Sequence, residues 1–407
     1  MPLADLMAEA RARDAADPLA PFRARVIRPE GRIPLDGHSL GLLPRTTPAR
    51  LARVAEEEWG QGLIASWNRA GWIEAPARIG ARIAPLIGAA PEEVTVCDSV
   101  SVNLFKLAVA ALRLRPGRRV LLLEAGDFPT DHHVAESAAR LMGAEVRAVA
   151  RDGIADALGP EVALLLLSHV SYRTAAVHDM AALTAAAHAA GALILWDLSH
   201  STGAVEVDLG DADMAVGCGY KHLLGGPGAP AFAFVAWRHQ AALDQPIAGW
   251  MGHAEPFAFE ADYAPAPGVR RLLAGTPPIL ALAALEEGVA LVAEAGPARL
   301  AAKARALGDV LIAGLEAIGC PDLRLVSPRT GRGAHVTFAH RHAWPLVRAL
   351  DAAGVTGDFR APDCVRLGVS PLGLSFMDVV RAAEILEEVL ASGAHLRPEY
   401  RAVRAVT

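Results

Sequence analysis

Between Val94 and Trp237 the chain reads as seven short apolar runs separated by Ala-rich stretches of helical spacing, and this alternation restricts its fold more than any other feature. The runs are Val94–Cys97, Arg119–Glu124, Glu145–Val149, Val162–His169, Ala192–Asp197, Met214–Cys218 and Ala231–Trp237. Runs this short, several of them apolar at every position, suit strands of a sheet covered by helices on both faces. The stretches Asp131–Met142 and Met180–Ala190 follow capping residues and have helical spacing, which predicts crossover helices and parallel strands. The link from Tyr220 to Pro230 is too short for a crossover, so the last strand is expected to run antiparallel. The expectation is an α/β fold around one open, seven-stranded, mostly parallel sheet.

Beyond Pro278 the pattern changes to two long Ala/Leu/Glu-rich helices, Ile279–Ala295 and Pro297–Ile318. Strands at Arg324–Val326, Ala334–Phe338 and Val365–Val369 and a closing helix at Ser375–Ala391 follow. The first 75 residues carry one predicted helix, Pro48–Trp59, within irregular Pro- and Trp-rich chain. The 407 residues therefore divide into an N-terminal segment contributing to the smaller domain (1–75), a large α/β domain (76–278) and a small α+β domain (279–407). The net charge of −6 and the lack of a basic run exclude nucleic acid and anionic membrane as expected partners. Wholly apolar runs such as Val162–Leu167 fall far short of the ~18 residues a membrane span needs, and the N-terminal stretch mixes acids among its apolar residues. Cys97, Cys218, Cys320 and Cys364 form no C-x-x-C pair, so neither a metal site nor a disulfide scaffold is expected, and a reducing cytoplasm is the expected location.

Only Lys106, Lys221 and Lys303 among the 39 basic residues are lysines, so chemistry requiring a deprotonatable amine has three candidates. Lys106 and Lys303 sit in helical patterns, where a solvated surface lysine is expected. Lys221 instead follows a strand and precedes the glycine-rich Leu224–Gly228, a setting with little structural use for lysine. The strand Ala192–Asp197 ends in Asp197, and ligands of open α/β sheets collect at the carboxyl ends of strands. A strand-end Asp with a glycine-framed Lys meets the needs of pyridoxal 5′-phosphate (PLP): the amine forms a Schiff base with the cofactor aldehyde, and the carboxylate keeps the ring nitrogen protonated as an electron sink. The segment Asp98–Asn103 opens the predicted helix Leu104–Leu112, offering backbone N–H groups and Ser101 to a phosphate. Phe128 follows the second strand and offers a ring at the same sheet edge. A competing motif, Gly37-His38-Ser39-Leu40-Gly41, matches the G-x-S-x-G nucleophile elbow. Its context disagrees: Arg32–Leu35 reads as the chain's first short strand, not a central one, and Pro44 and Pro48 break any helix after it.

These residues, with the segments DGHSLGL (Asp36–Leu42), SWNRAGW (Ser66–Trp72), FPTD (Phe128–Asp131), SHVSYRT (Ser168–Thr174), WDLSHSTGA (Trp196–Ala204), GYKHLLGGPGAPAF (Gly219–Phe232), GWMGH (Gly249–His253), GTPPIL (Gly275–Leu280), GDFRAPD (Gly357–Asp363) and VRLGVSPLGLSF (Val365–Phe376), resemble kynureninases. These are PLP-dependent enzymes of fold type I related to class V aminotransferases. The resemblance implies that Lys221 holds PLP, that Asp197 pairs with its ring nitrogen with Asp131 nearby, and that His200 lies close. It implies contacts to PLP or its phosphate from Val100, Ser101, Ser168 and Tyr220, and places Pro129 and Thr130 with Phe128, which stacks on the ring. Trp250 and Thr276 are implied to reach the phosphate of a neighbouring subunit in a homodimer with shared active sites. Arg366 is implied to bind the substrate carboxylate. Trp67, Gly275 and Thr276 are similar to the bacterial pattern, which implies L-kynurenine rather than 3-hydroxykynurenine as substrate. The implied reaction is hydrolysis of L-kynurenine to anthranilate and L-alanine within tryptophan breakdown or NAD synthesis, with Tyr220 as the proton donor that quenches Cβ. Two departures stand out: His38 and Leu224 occupy positions where the family commonly has Asn.

Two alternatives remain at this point. A class V aminotransferase or cysteine desulfurase would share Lys221, Asp197 and His200. A desulfurase needs a mobile nucleophilic Cys, for which only Cys364 offers itself, and that residue reads better as the start of a strand. A catalytically silent binding protein on the same fold would have no use for the Lys221 amine.

Overall fold

The computed structural model describes residues 3–402; residues 1–2 and 403–407, the outer ends of the first and last segments, lie outside the described residues. All seven apolar runs form strands of one sheet: β1 (Val94–Val96), β2 (Val120–Glu124), β3 (Glu145–Val149), β4 (Val162–Ser168), β5 (Leu193–Asp197), β6 (Met214–Gly217) and β7 (Phe232–Val235). Their order is β1-β7-β6-β5-β4-β2-β3. The pairs β2/β3, β2/β4, β4/β5 and β5/β6 are parallel, and β7 runs antiparallel to both β1 and β6. Successive side chains of a strand point to opposite faces. Leu165, Leu167, Ile194 and Trp196 accordingly enter one core, and Leu164, Leu166, Leu193 and Leu195 enter the core on the other face.

A second sheet comprises β8 (Arg324–Leu325), β9 (His335–Ala339), β10 (Asp358–Arg360) and β11 (Cys364–Gly368), ordered β8-β9-β11-β10 and antiparallel throughout. Three of these strands match the expected ones to within a residue or two. The strand β10 and the helix Ala343–Ala352 were not expected. The core beneath this sheet draws on the helices Pro297–Ile318 and Phe376–Ala391.

Several expectations need correction. The N-terminal segment holds a second helix, Leu3–Ala15, whose Leu6 and Ala10 join the smaller core, whereas Leu19, Phe22 and Val26 join the larger one. The first strand is Val26–Ile27, and of the expected strand Arg32–Leu35 only Ile33–Pro34 is regular, pairing in parallel with Val355–Thr356. The helix Ile279–Ala295 does not belong to the smaller domain. Its Leu282, Leu285, Val289 and Val292 are buried in the large-domain core, so the C-terminal contributions to the smaller core start after Leu300 rather than at residue 279. An Ala/Leu helix apolar on several sides is suited to such burial, and its sequence alone does not say between which neighbours.

Lys106 and Lys303 are not solvated. Lys106 is fully buried, with Nζ 2.5 Å from Asp98 and donating to the Leu272 carbonyl at 2.6 Å. Lys303 is buried with Nζ 2.7 Å from Asp17. Removing one member of a buried pair, as Lys303 with Asp17, costs roughly 3–5 kcal/mol because the other charge is left uncompensated, and less where the partner is partly exposed, as Asp98 is. Both lysines are therefore structural.

Candidate active site

The carboxyl ends of the large-sheet strands converge beside the smaller sheet. Ser168 and Asp197 end β4 and β5 and are register partners. Asp131, in the helix Pro129–Met142 that follows β2, receives the Ser168 hydroxyl at 3.3 Å, and Asp127 receives the Ser168 N–H at 3.2 Å. Asp197 accepts the Ser199 N–H at 2.8 Å. Three buried carboxyls thus lie close together, and they shift as expected for crowded acids out of water. Burial pushes Asp127 up to about 7. Burial, then the neighbouring Asp197 and Asp127, holds Asp131 well above the usual range. Burial also raises Asp197, against the Ser199 hydrogen bond and the Lys221 charge. One Asp131 oxygen, Oδ1, is buried without a hydrogen-bond partner among the described residues.

The Lys221 ammonium faces this cluster from the bend after β6, with Nζ 3.1 Å from His200 Nε2. Burial, then the Lys221 charge, keeps His200 well below its ordinary range, so its ring is neutral beside the amine. The ring of Tyr220 lies under Lys221, 5.7 Å from Nζ to its centroid. Burial, then Cys218 and Asp197, raises the Tyr220 hydroxyl, which keeps its proton through neutral pH. The turn after Asp36 locks onto this bend: the Gly41 N–H donates to the Tyr220 carbonyl at 2.9 Å, and a Cβ on Gly41 would lie 2.1 Å from the Lys221 carbonyl oxygen. Only glycine permits that approach.

The helix expected from Leu104 begins already at Val100, capped by Ser99, whose side chain accepts from the Val102 N–H. Val100 and Ser101 therefore occupy the first turn, where backbone N–H groups have no intrahelical acceptor and favour an anion. Phe128 caps the helix Pro129–Met142, is 42% exposed, and meets Tyr172 edge to face at 5.2 Å. Pro129 and Thr130 open that helix.

Arg366 comes from β11, is 1% exposed, and is paired along one edge with Asp358 of β10, its cross-strand partner. Ser39 is not on an elbow: it lies in a turn with no helix after it, and its hydroxyl donates to Asp358 at 2.7 Å instead of meeting a histidine base. His38 is fully buried, stacked on His335 at 5.0 Å, and burial followed by the Arg366 charge lowers it to about 4. Leu224 has φ +58°, a conformation that Asn tolerates better than Leu, so this departure from the family residue carries local strain. Cys364 begins β11, is 2% exposed, and burial raises its thiol, which rules out a mobile nucleophile there.

The structure does not bring Trp67, Trp250, Gly275 or Thr276 to this cluster within the chain. Among the described residues none makes a hydrogen bond to it. Trp67 packs edge to face on Trp72 at 6.0 Å, Trp250 sits with Phe257 and Phe259, and Gly275 and Thr276 are exposed. Sequence reasoning missed Asp127, Tyr172, His335 and Asp358. Asp127 directly precedes Phe128 in a strand-end segment already singled out and was within reach; the others become site residues only through long-range packing.

These residues fit PLP. The unpartnered Asp131 oxygen and the raised Asp197 are buried acids without a cationic hydrogen-bond partner, a role a protonated pyridine nitrogen would fill, opposite an amine and beside a helix N-terminus. Fold and site together define a PLP-dependent enzyme of fold type I. In agreement, the fold superposes on an apo cysteine desulfurase from Thermococcus onnurineus with a TM-score of 0.79, covering 92% of this chain and 98% of that one at 17% identity. It also superposes on an Escherichia coli cysteine desulfurase with a TM-score of 0.78 at 16% identity, covering 93% and 98%. Sequence narrows the class. Residues 300–386 match the kynureninase C-terminal domain. The chain is 45% identical to a kynureninase of Burkholderia mallei over 98% of this chain and 99% of that protein, and 48% identical to one of Deinococcus radiodurans over 96% and 97%. The chain belongs to the kynureninase family.

Proposed function

We propose that this pocket hydrolyses L-kynurenine to anthranilate and L-alanine, with Lys221 as the cofactor-bearing base and Arg366 as the carboxylate anchor. The observation that carries the reading is the facing of Lys221 against Asp197 and Asp131, with a neutral His200 touching the amine. When bound, PLP supplies the sink for the electron pairs released at Cα and then at Cβ of the substrate. Lys221 takes the Cα proton, and His200, unable to hold a charge there, leaves the amine as the base. Asp197 keeps the ring nitrogen protonated, with Asp131 beside it held by Ser168. Val100 and Ser101 offer main-chain N–H groups to the phosphate, and Phe128, with Pro129 and Thr130 behind it, covers the ring. Water adds to the γ-carbonyl carbon, the Cβ–Cγ bond breaks to leave the new carboxyl on the aromatic product, and Tyr220, whose hydroxyl retains its proton, delivers it to Cβ. The similarity of Trp67, Gly275 and Thr276 to the bacterial pattern supports L-kynurenine over 3-hydroxykynurenine. Incubating the holoenzyme with L-kynurenine should give anthranilate fluorescence with equimolar L-alanine. Sulfur release from L-cysteine without anthranilate would favour the desulfurase reading instead.

Arg366→Lys should raise KM for L-kynurenine by roughly tenfold or more while leaving the cofactor absorbance intact, because a lysine cannot offer two parallel donors to a carboxylate. Steady-state kinetics beside a visible spectrum check this; unchanged kinetics would assign Arg366 a purely structural place.

The active unit in this reading is a homodimer in which Trp250 and Thr276 reach the partner's cofactor phosphate. Exposed aromatic rings at Trp250, Phe257, Phe259 and Tyr263 form an apolar patch of the kind that marks an interface. An isologous interface gives each site the same partner contribution. Mixing Lys221→Ala with a Trp250→Ala, Thr276→Ala double variant should then restore activity on subunit exchange, since one site of the mixed dimer has a normal lysine and normal partner donors. No recovery, with exchange confirmed by mass, would put both loops in their own chain's site.

A further inference from the structure

The turn carrying Ser39 and the strand carrying Asp358 converge on one guanidinium. Arg366 Nε donates to Asp358 Oδ1 at 2.7 Å, and Nη2 donates to Asp358 Oδ2. Nη1 donates to the Tyr172 carbonyl, and the second Nη2–H points at Ser39 Oγ across a long 3.4 Å. Ser39 is held in place by its own 2.7 Å hydrogen bond to Asp358 Oδ2. The Nε/Nη2 edge of Arg366 is thus fully occupied, whereas the Nη1/Nη2 edge has only one short bond and one long one among the described residues. Asp358 also pairs with Arg360 at 3.1 Å, so the three groups together retain one positive charge. A guanidinium clamped on one edge can offer two parallel donors from the other.

We propose that Asp358 and Ser39 are positioning residues that fix Arg366 so that its Nη1/Nη2 edge receives the α-carboxylate of the amino-acid substrate. The inference rests on the reading of Arg366 as carboxylate anchor and adds which edge is used and what orients it. The Asp358 carboxyl stays ionised in this clamp, because the hydrogen bonds and charge of Arg366 outweigh its burial and hold it far below the usual range. His38, replacing the family's Asn, lies with Nε2 3.4 Å from Asp358 Oδ1 and backs the clamp.

Asp358→Asn keeps the shape but replaces one acceptor by a donor facing an Arg366 N–H. In the PLP-loaded enzyme it should raise KM for L-kynurenine roughly tenfold, change kcat less than threefold, and leave the visible cofactor spectrum unchanged. L-Alanine and ethylamine, titrated by their effect on the cofactor absorbance, separate positioning from general loosening. The preference for L-alanine over ethylamine should fall about tenfold, whereas a merely structural loss weakens both alike. Ser39→Ala leaves the ion pair intact and tests the same geometry should Asp358→Asn not accumulate as soluble holoenzyme; its preference should fall about threefold. An unchanged preference in the soluble variants overturns the proposal. If Arg366→Lys also leaves that preference unchanged, the anchor assignment itself fails; if Arg366→Lys lowers it and the other two do not, only the positioning role is lost.

Discussion

Lys221→Ala is expected to yield a folded protein without the visible absorbance of lysine-linked cofactor and with turnover reduced on the order of a thousandfold or more. Lys221 is partly exposed and makes one side-chain hydrogen bond, to His200, so its truncation removes no structural pair. The informative controls are Lys106→Met and Lys303→Met, which keep volume in sites buried against Asp98 and Asp17. Both should lower Tm, Lys303→Met the more, because it leaves the buried Asp17 carboxylate unpaired whereas Asp98 is partly exposed, and both should retain the absorbance. Borohydride treatment of the wild type followed by peptide mass analysis should place the fixed cofactor on Lys221 alone. A retained band in Lys221→Ala, or a fixed cofactor elsewhere, ends the assignment.

Asp197→Asn is expected to bind PLP yet lose turnover on the order of a thousandfold or more. The carboxylate is buried at the end of β5, and burial alone would drive it towards its neutral form. A protonated ring nitrogen offsets that penalty, and the two charges then hold each other in place. Asparagine offers no charge, so the sink weakens where the electron pair accumulates. Neighbouring Asp131 does not compensate, because it sits in the same desolvated cluster and is itself pushed towards the neutral form. Stopped-flow spectra should show substrate binding at a near-normal rate, with the loss falling on the later bond-breaking steps. Turnover within a few-fold of wild type would refute the role.

The large sheet was legible because β4 and β5 are buried on both faces, so that Val162–Leu167 and Leu193–Trp196 are apolar without interruption. Lys221 and Asp197 were legible because a functional residue sat where structure had no need of it. The strand β10 was not, since Asp358 and Arg360 read as surface charges until Arg366, across the strand pair, gives Asp358 a partner. The buried state of Lys303 was equally hidden: its partner Asp17 lies in the N-terminal segment, and nothing local distinguishes this lysine from one facing water. The helix Leu3–Ala15 was legible in principle, since Leu3, Leu6, Met7 and Ala10 recur at helical spacing and pack on the smaller core, but the stripe is narrow and short amid charges and alanines. Helical periodicity likewise reveals that Ile279–Ala295 is buried without revealing which core receives it.

The interment of Lys106 and Lys303 leaves the exterior of this protein clad in arginine, with Lys221 as the one lysine that is more than marginally open to solvent. Amine-directed reagents applied to the native protein, whether acylating labels, aldehyde cross-linkers or coupling chemistries for immobilisation, therefore find no lysine foothold on the outer surface. Applied to protein stripped of its cofactor, the same reagents become a titrant of pocket occupancy: the stoichiometry of lysine labelling counts empty sites, and added PLP should shield that single position in direct proportion to its binding.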